Sequence, residues 1–265
     1  LANHKGECAM SKVVLVLVDG MRPDSLAVCG HPFAKTMMEK CRVTLAGRSV
    51  VPPVTLPCHM SLIHSVDPVR HGVLTNTYTP PSRPVTGLFE QLDKYDKTSA
   101  FFYGWGQLKD LYQPRSLADA CFVSGRVHGW FECCEELTNR AVENLRRNAP
   151  DFTFLYLPEV DEMGHKYGWM SEEYLQSVAH AFACIQRVYQ ALPQDAALLV
   201  TADHGGHDRD HGKEIPEDMT IPFLACGADF APGTAFEGMS LKDIAPTVAR
   251  LLNVPMDADW EGHAL

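Results

Sequence analysis

Hydrophobic residues of this chain occur in short continuous runs that alternate with segments of helical periodicity. The runs are rich in β-branched residues, which is typical of strands buried on both faces of a sheet. The segments between them repeat apolar positions three and four residues apart, as one face of an amphipathic helix does. Strands are predicted at residues 12–18, 43–51, 99–103, 152–157, 197–201 and 222–226. Helices are predicted at residues 33–40, 88–95, 131–147, 174–192 and 241–251.

Alternating strands and helices predict an α/β protein, a three-layer α/β/α sandwich with a mainly parallel central sheet. The chain has 265 residues, enough for one large domain. We expect residues 11–265 to form that single compact domain. Residues 1–10 are interpreted as a disordered tail or a non-native remnant, and residues 1–9 would be that remnant if the natural start is Met10.

Composition and charge narrow the classes of partner. Apolar residues make up 46% of the chain and charged residues 21%, which is ordinary for a globular protein. The net charge of −10 argues against a nucleic acid as the main partner, because the phosphate backbone is also negatively charged. It leaves room for a small anionic substrate, because bound metal ions would invert the local field.

No run is long enough for a membrane span, since residues 13–18 form the longest apolar stretch and about 20 residues are needed. Residues 1–9 are polar and contain no secretory signal, although a cleaved signal would leave no trace. The nine cysteines are unevenly spaced and form no C-x-x-C pair, and Cys184 and Cys226 resemble small core residues. A reducing compartment, and thus a cytoplasmic protein, is the prediction.

Four segments place metal-type ligands just after predicted strands. The candidate ligands are Asp19, Thr55, Asp161, His165, Asp203, His204 and His211. Because open α/β sheets bind ligands at the carboxyl ends of their strands, these side chains are expected to meet there. Carboxylates and neutral imidazoles are ligands that zinc and similar ions prefer.

Each segment taken alone has a simpler interpretation. Asp19, followed by Gly20, suits a tight turn, and Asp161 with His165 suits an exposed acidic loop. Thr55 precedes a predicted helix that runs through Ile63, where it could serve only as an N-cap. The last segment could be a polar loop with scattered histidines.

Together the segments supply three aspartates, three histidines and a threonine, enough for two ions that each keep an open position. Two ions about 3.5–4 Å apart can clamp the attacking and leaving oxygens of an in-line displacement. By spacing alone, either His207 or His211 could complete the set.

The motifs are, in chain order, Asp19-Gly20, Thr55 within Pro-x-x-Thr-x-Pro-x-His, Asp161-x-x-Gly-His165, and Asp203-His204-Gly followed by His211-Gly. In this order they resemble the motifs of the alkaline phosphatase superfamily, and they are most similar to those of its type I phosphodiesterase/nucleotide pyrophosphatase branch. The resemblance covers about residues 12–252.

The resemblance implies a ligand set for each metal ion. Asp19, Thr55, Asp203 and His204 are expected to bind one ion, and Asp161, His165 and His211 the other. Both ions are expected to be zinc.

The resemblance also implies the chemistry. Thr55 would be the nucleophile that forms a phosphothreonine intermediate, and Asn76 would bind a phosphoryl oxygen. His211 fits the motif better than His207, which is expected at the rim. The implied function is hydrolysis of phosphodiesters or nucleotide pyrophosphates, with a small anionic phosphate ester as partner.

Departures from relatives shape this prediction. Thr55 lacks the Cys-x-Pro-x-Arg frame that a sulfatase needs, and no arginine neighbours it to hold a dianionic monoester, which favours diesters. Only six residues separate His204 from His211, so the catalytic domain lacks a large cap insertion there. Tyr78 and Trp105 could stack on a substrate, or could simply be packed.

Other functions fit the same motifs. A phosphomonoesterase, a phosphonate hydrolase or a phosphosugar transferase would keep the fold and the metals and change the substrate. A metal-stabilised binding protein without turnover would be of another class. The sequence carries no signal for an oligomeric state.

Overall fold

The first strand, β1, is a run of Val and Leu residues that the fold buries almost completely at the centre of a seven-stranded sheet. The structure is a computed structural model that describes residues 12–265, so the predicted tail lies outside the described residues. The strands are β1 (Lys12–Val18), β2 (Arg42–Arg48), β3 (Ser99–Tyr103), β4 (Asp119–Phe122), β5 (Phe152–Leu157), β6 (Ala196–Thr201) and β7 (Thr220–Cys226).

Helices fill the connections between these strands. They are α1 (Ser25–Val28), α2 (Pro32–Lys40), α3 (Thr55–His64), α4 (Pro68–His71), α5 (Leu88–Asp93), α6 (Gly125–His128), α7 (Trp130–Arg147), α8 (Glu159–Tyr167), α9 (Glu172–Ala191), α10 (Pro216–Met219) and α11 (Ile244–Leu251). Short 3₁₀ turns occur at Gly106–Leu111, Pro114–Ser116 and Leu241–Asp243.

The predicted three-layer α/β/α sandwich with a mainly parallel sheet is confirmed. The strand order is β2-β7-β6-β1-β5-β3-β4. The five strands from β6 to β4 pair in parallel, and β7 runs antiparallel to both of its neighbours. Helices α3, α5 and α11 contact one another in one layer, and α2, α7, α8 and α9 form contacts in the other.

Local sequence explains where the principal helices start and stop. Ser171 accepts a hydrogen bond from the Tyr174 N–H at the start of α9, and Glu172 and Glu173 complement the helix dipole in its first turn. The preceding helix α8 stops at Gly168, whose φ of 104° is open to glycine. Helices α8 and α9 therefore follow β5 one after the other, and α8 begins at Glu159, directly at the edge of the sheet.

The parallel arrangement of β6, β1 and β5 has a direct consequence for the candidate ligands. All three strands end at the same edge, and each is followed within four residues by an aspartate: Asp203, Asp19 and Asp161. The Asp19 N–H also donates to the Leu157 carbonyl, at 3.1 Å, which fixes the first residue after β1 to the last of β5.

Two strand predictions differ from the structure. The strand expected at 43–51 ends at Arg48, because the chain leaves β7 there and the segment that follows contains Pro52 and Pro53. Strand β4 was not predicted, since this edge strand leaves most of its side chains at least partly exposed and lacks a buried-strand pattern.

Cys226 is not the free core cysteine that the sequence suggested. It forms a disulfide with Cys41, which ties the end of β7 to the segment between α2 and β2. The remaining cysteines from residue 12 onward are free thiols. Cys226 thus no longer supports the prediction of a reducing compartment, which rests on the cysteine spacing and on buried free thiols such as Cys184.

Within residues 12–265, no helix combines the length and apolar character needed to cross a bilayer.

Removing the disulfide is expected to destabilise the fold. The bridge joins residues 185 positions apart, so the double variant Cys41→Ser/Cys226→Ser should lose about 2–4 kcal/mol of unfolding free energy as its unfolded chain gains freedom. Urea denaturation without reductant measures this loss, with Cys121→Ser, at a half-buried free thiol, as control. Equal stability of the double variant and the parent chain would contradict a formed disulfide.

Candidate active site

The seven candidate ligands converge at the carboxyl edge of the sheet. Six of them form two groups within which ligand atoms lie no more than 4.8 Å apart: Asp19, Asp203 and His204, and Asp161, His165 and His211. The His204 and His211 rings stack with centroids 3.8 Å apart, so the two groups are adjacent. Segments that are distant in sequence thus build one site with two adjacent groups of candidate metal ligands.

In the first group, oxygen atoms surround Nε2 of His204. This nitrogen lies 3.3 Å from Asp19 Oδ1, 3.4 Å from Asp203 Oδ2 and 3.2 Å from Thr55 Oγ1. Asp203 is oriented by its other oxygen, which accepts hydrogen bonds from the N–H groups of Gly20 and His204. Tyr156 donates its hydroxyl proton to Oδ2 of Asp19. One oxygen of each carboxylate is therefore held by the protein while the other faces His204.

The second group is built around Asp161 in the first turn of α8. Its Oδ2 lies 3.4 Å from His165 Nε2, and its Oδ1 lies 3.7 Å from His211 Nε2. His165 stands one turn further along the same helix. The four-residue spacing read from the sequence thus corresponds to one helical face rather than to an exposed loop.

All three histidines turn Nε2 inwards for the same reason. Each Nδ1 lies at hydrogen-bond distance from a backbone carbonyl: Gly205 for His204 (2.8 Å), Arg209 for His165 (3.0 Å) and Pro53 for His211 (2.9 Å). A carbonyl can only accept, so Nδ1 carries a proton, and Nε2 presents a lone pair whenever the ring is neutral. Carbonyls that orient ligating histidines in this way are common around metal ions.

The first group carries negative charge without a matching counter-charge. Burial, reinforced by Asp203 and Asp161, raises the pKa of Asp19 well above its usual value. Burial likewise raises the pKa of Asp203, with Asp161 adding to the increase. Among the described residues, Asp19 Oδ1, Asp203 Oδ2 and Asp161 Oδ1 are buried and accept no hydrogen bond. Divalent cations would satisfy these oxygens, so the donor set fits two metal ions.

Two of the histidines are kept neutral by their surroundings. Burial, followed by repulsion from His204, lowers the pKa of His211 to about 4, and burial also lowers the pKa of His204. His165 differs, because its hydrogen bond to Asp161 raises its pKa to about 9. A metal ion between His165 and Asp161 would replace that proton.

Thr55 is not an N-cap, contrary to its simplest interpretation. Val54 occupies the cap position and Thr55 is the first residue of α3, so its hydroxyl is free to face His204. Its own N–H has no partner within the helix. The Thr55 carbonyl lies 2.8 Å from Nδ1 of His59, which fixes the start of the helix. Thr55 is 4% exposed, so its hydroxyl is shielded from bulk water.

Asn76 is oriented by the start of the same helix. Its Oδ1 accepts a hydrogen bond of 3.0 Å from the Leu56 N–H, which leaves the amide NH₂ group as a donor. A cavity of about 140 Å³ lies in front of it. The lining residues are Asp19, Thr55, Asn76, Trp105, Trp130, Tyr156, Pro158, Asp161, Glu162, His165 and His211.

His207 uses both ring nitrogens away from the two groups. Nδ1 donates to Asp218 Oδ1 at 2.7 Å, and Nε2 lies 3.0 Å from the Lys213 ammonium. Asp218 is fully buried and also accepts the Lys213 N–H. His207 therefore anchors the loop that carries His211, and the geometry favours His211 as the ligand candidate.

The two aromatic residues expected near the substrate are placed differently. Trp105 lines the cavity in front of Thr55. Tyr78 packs partly buried against the core and lines a separate cavity, beside the proline-rich segment that includes Pro80 and Pro81. Trp130 and Glu162 line the Thr55 cavity but were not predicted to do so.

Trp169 was also missed, although it contacts every ligand segment except that of Thr55. Its indole N–H donates to the Gly20 carbonyl at 2.9 Å, and its ring packs against Gly164 and Gly206, where a Cβ atom would come within 2.7 and 2.2 Å of it. Its ring also meets the imidazoles of His165 and His211, with centroids 5.1 and 6.0 Å away. In the sequence, only Gly164 and Gly206, the glycines next to the histidines, pointed to such a contact, because a glycine leaves room for a large side chain beside it.

A sequence profile of the type I phosphodiesterase/nucleotide pyrophosphatase family matches residues 13–133 and 122–220. Curated relatives include 2,3-bisphosphoglycerate-independent phosphoglycerate mutases. That of Laribacter hongkongensis is 31% identical over 180 residues, which are 66% of this chain and 35% of the mutase. The mutase of Anaplasma phagocytophilum is 31% identical over 137 residues, which are 49% of this chain and 27% of that mutase. The chain thus spans about a third or less of the length of these relatives.

Solved structures share the fold at lower sequence identity. Human ectonucleotide pyrophosphatase/phosphodiesterase 5 superposes with a TM-score of 0.80 at 17% identity, covering 95% of this chain and 97% of its own. The phosphonate monoester hydrolase of Agrobacterium radiobacter gives a TM-score of 0.76 at 15% identity, with 96% and 76% covered. These likenesses show an alkaline phosphatase-like fold.

Neutralising one buried carboxylate is expected to stabilise the metal-free protein. In Asp19→Asn the amide can accept from Tyr156 and donate to His204, so the unfolding free energy in EDTA at neutral pH should rise by about 1–3 kcal/mol. The gain should shrink as pH falls, because the raised pKa of Asp19 lets the parent carboxyl take up a proton first.

Zinc should reverse this order, since the parent chain retains the full carboxylate set and the variant does not. Urea denaturation with EDTA and with zinc measures both effects, and Asp195→Asn, at an exposed carboxylate between α9 and β6, is the matched control. A variant that is less stable than the parent in EDTA would show that the buried charges do not repel.

Proposed function

Because the chain belongs to the type I phosphodiesterase/nucleotide pyrophosphatase family, we propose that it is a two-metal hydrolase of phosphodiesters or nucleotide pyrophosphates. The reaction would proceed through a phosphothreonine intermediate on Thr55. One observation carries the proposal: the Thr55 hydroxyl lies 3.2 Å from Nε2 of His204, in a cavity shared with both ligand groups. A nucleophile and two cation sites thus face the same small space.

Asp19, Thr55, Asp203 and His204 would hold one ion, and Asp161, His165 and His211 the other. Zinc suits these carboxylate and imidazole donors. When bound, such ions lower the pKa of the threonine hydroxyl and neutralise charge that develops on the ester oxygens.

The chain's own groups supply the rest of the chemistry. Thr55 Oγ1 gives its proton to solvent and attacks phosphorus while the bond to the leaving group breaks, and the departing alkoxide takes up a proton from water to leave as the alcohol. Water then hydrolyses the phosphothreonine and restores Thr55. The Asn76 amide and the free Thr55 N–H at the start of α3 would donate to a non-bridging oxygen, where negative charge accumulates.

The lining of the cavity supports diesters over monoesters. Among residues 12–265, no lysine or arginine lines it, so the second charge of a monoester would lack a guanidinium partner. Arg22 and Arg70, which lie close in sequence to Asp19 and to Asn76, are engaged elsewhere. Arg22 binds Asp24 and the Gly206 carbonyl, and Arg70 binds the Arg83 carbonyl and pairs with Asp259.

A second candidate has its own support. The phosphoglycerate mutases that match at 31% identity favour transfer of a phosphoryl group on a phosphorylated small molecule, with the same nucleophile and ions. The chain covers at most about a third of those two proteins, and among residues 12–265 the cavity has no lysine or arginine in its lining to hold a dianionic monoester. Diester hydrolysis therefore remains the first proposal.

Thr55→Ala should lower kcat for an aryl phosphodiester at least about a thousandfold, because the covalent step loses its nucleophile. Thr55→Ser keeps a hydroxyl and should retain measurable turnover. Acid quenching of the parent enzyme during turnover, followed by peptide mass spectrometry, should detect phosphate on Thr55.

Thr36→Ala, at a partly exposed threonine of α2, serves as the matched control. Undiminished turnover by Thr55→Ala would refute the nucleophile assignment. Zinc binding by the parent chain without turnover of any phosphorus ester would instead indicate a metal-stabilised binding protein.

The zinc-loaded enzyme should cleave bis(4-nitrophenyl) phosphate with a kcat/KM at least about tenfold above that for 4-nitrophenyl phosphate, since the cavity offers no cationic side chain to the second monoester charge. Release of 4-nitrophenol measures both rates. Faster cleavage of the monoester, or mutase activity on phosphoglycerate, would favour the second candidate.

A further inference from the structure

A cluster of polar side chains lies where α7, α8 and α9 contact one another, outside the lining of the cavity in front of Thr55. Glu135 comes from α7, Glu159 from the first turn of α8, and His180 and Cys184 from α9. His180 and Cys184 stand four residues apart, so they share one face of their helix. None of these four residues takes part in the proposed mechanism, so the cluster needs an explanation of its own.

The ligand atoms of Glu135, His180 and Cys184 meet at distances that suit one metal ion. Cys184 Sγ lies 3.7 Å from His180 Nε2 and 3.8 Å from Glu135 Oε1, and Nε2 and Oε1 are 2.9 Å apart. A tetrahedral zinc ion with its usual bond lengths spaces sulfur, nitrogen and oxygen ligands about 3.3–3.6 Å apart. Small shifts of these side chains therefore let a single ion bind all three atoms.

A carboxylate holds His180 in the orientation that a metal ligand requires. Its Nδ1 donates to Glu159 Oε2, so Nε2 is turned towards Glu135 and Cys184. Histidines that bind metal ions very often donate their other ring N–H to a carboxylate in this way. The Phe131 ring, stacked with its centroid 4.1 Å from that of His180, restricts the imidazole further. The support of the histidine thus points to an ion independently of the ligand distances.

Burial gives the cluster an interior and an entrance. Cys184 is buried, and the side chains of Glu159 and His180 are 11% and 12% exposed. The side chain of Glu135 is 35% exposed, so an ion can reach the thiol and the imidazole from the side of this carboxylate. An entry path of this kind is one requirement of a metal site.

Arg187 is the group with which an ion has to compete. Its guanidinium donates to both oxygens of Glu135 and lies 3.3 Å from Cys184 Sγ. The contact of 3.0 Å with Glu135 Oε2 can persist while an ion takes Oε1, because the two oxygens accept separately. Arg187 is 35% exposed and has room to withdraw from the thiol.

Charge balance is compatible with an ion in spite of Arg187. The two positive charges of a divalent ion and the one of Arg187 equal the negative charges of Glu135, Glu159 and a Cys184 thiolate. Without an ion, a proton on His180 supplies the positive charge that the two glutamates need beyond Arg187. The competing interpretation is therefore an ion-pair network that never binds metal.

We propose that Glu135, His180 and Cys184 form a third metal site, which takes a zinc-type divalent cation with water as its fourth ligand. The ion joins α7 to α9. Through the hydrogen bond between His180 and Glu159 it also holds the start of α8, the helix that carries two of the active-site ligands. The site is independent of the hydrolase function, since it contains no residue of the reaction.

Cobalt substitution tests this site without interference from the active site. The ligands proposed for the two active-site ions contain no sulfur, so a thiolate-to-cobalt charge-transfer band in the near ultraviolet arises only where a cysteine binds the ion. Titration of the metal-free full chain with Co²⁺ should produce this band, and it should saturate at one cobalt–thiolate bond per chain. Cys184→Ser should abolish the band, whereas Cys121→Ser, at a half-buried free thiol of β4, should keep it.

A second variant leaves the thiol in place. His180→Gln removes the imidazole ligand and should weaken the cobalt binding that produces the band at least about tenfold. No charge-transfer band in the parent chain at saturating cobalt, or an unaltered band in Cys184→Ser, would overturn the third site.

Zinc content gives an independent measurement. After loosely bound metal is removed, the parent chain should retain about one zinc ion more than Cys184→Ser. Equal zinc contents would refute the site and leave the ion-pair network as the explanation of the cluster. Because the difference between the two chains is counted, the result holds whether or not the active site binds its own ions or hydrolyses an ester.

Discussion

Repulsion among buried carboxylates is the constraint on which the candidate site depends. Asp19, Asp203 and Asp161 follow three adjacent parallel strands, and the hydrogen-bond ladder of the sheet does not let them move apart. Without cations the fold holds these charges together at a cost: burial, and after it the neighbouring carboxylates, raise the pKa values of Asp19 and Asp203. These charges therefore lower the stability of the metal-free fold, and bound cations would compensate them.

Close packing around the carboxylates explains the residues that carry no charge. Gly20 has a φ of 67°, and a Cβ atom on it would lie 3.0 Å from Asp161, so a larger residue would separate the two ligand groups. Trp169 fills the space left by Gly164 and Gly206 and fixes the Gly20 carbonyl. The glycines are therefore needed for the approach of the ligand segments as well as for turns.

Sequence reasoning succeeds where a local rule determines position. Asp19 and Asp203 follow uninterrupted buried strands, and the rule that parallel strands end at one edge brings them together. It fails for Trp130 and Glu162, because whether they face the cavity depends on how α7 and α8 pack, and periodicity does not encode that. The Cys41–Cys226 pairing was missed for the same reason, since it joins residues far apart in sequence.

The residues around the Thr55 cavity form two sets. One set lies at the carboxyl edge of the sheet, and the other is the remaining lining of the cavity, called the wall here, to which Trp105, Trp130 and Glu162 belong. The edge is fixed by β6, β1 and β5, so its geometry changes only if the sheet changes. The wall comes partly from the segments that begin at Trp105 and Trp130, which carry no ligand proposed for the two active-site ions and can vary in sequence without disturbing the edge. Glu162 is the exception, because it shares a helical turn with Asp161. A substitution there alters the field at the second ion and at the wall together, so the charge that the cavity presents to a substrate is coupled to its metal chemistry.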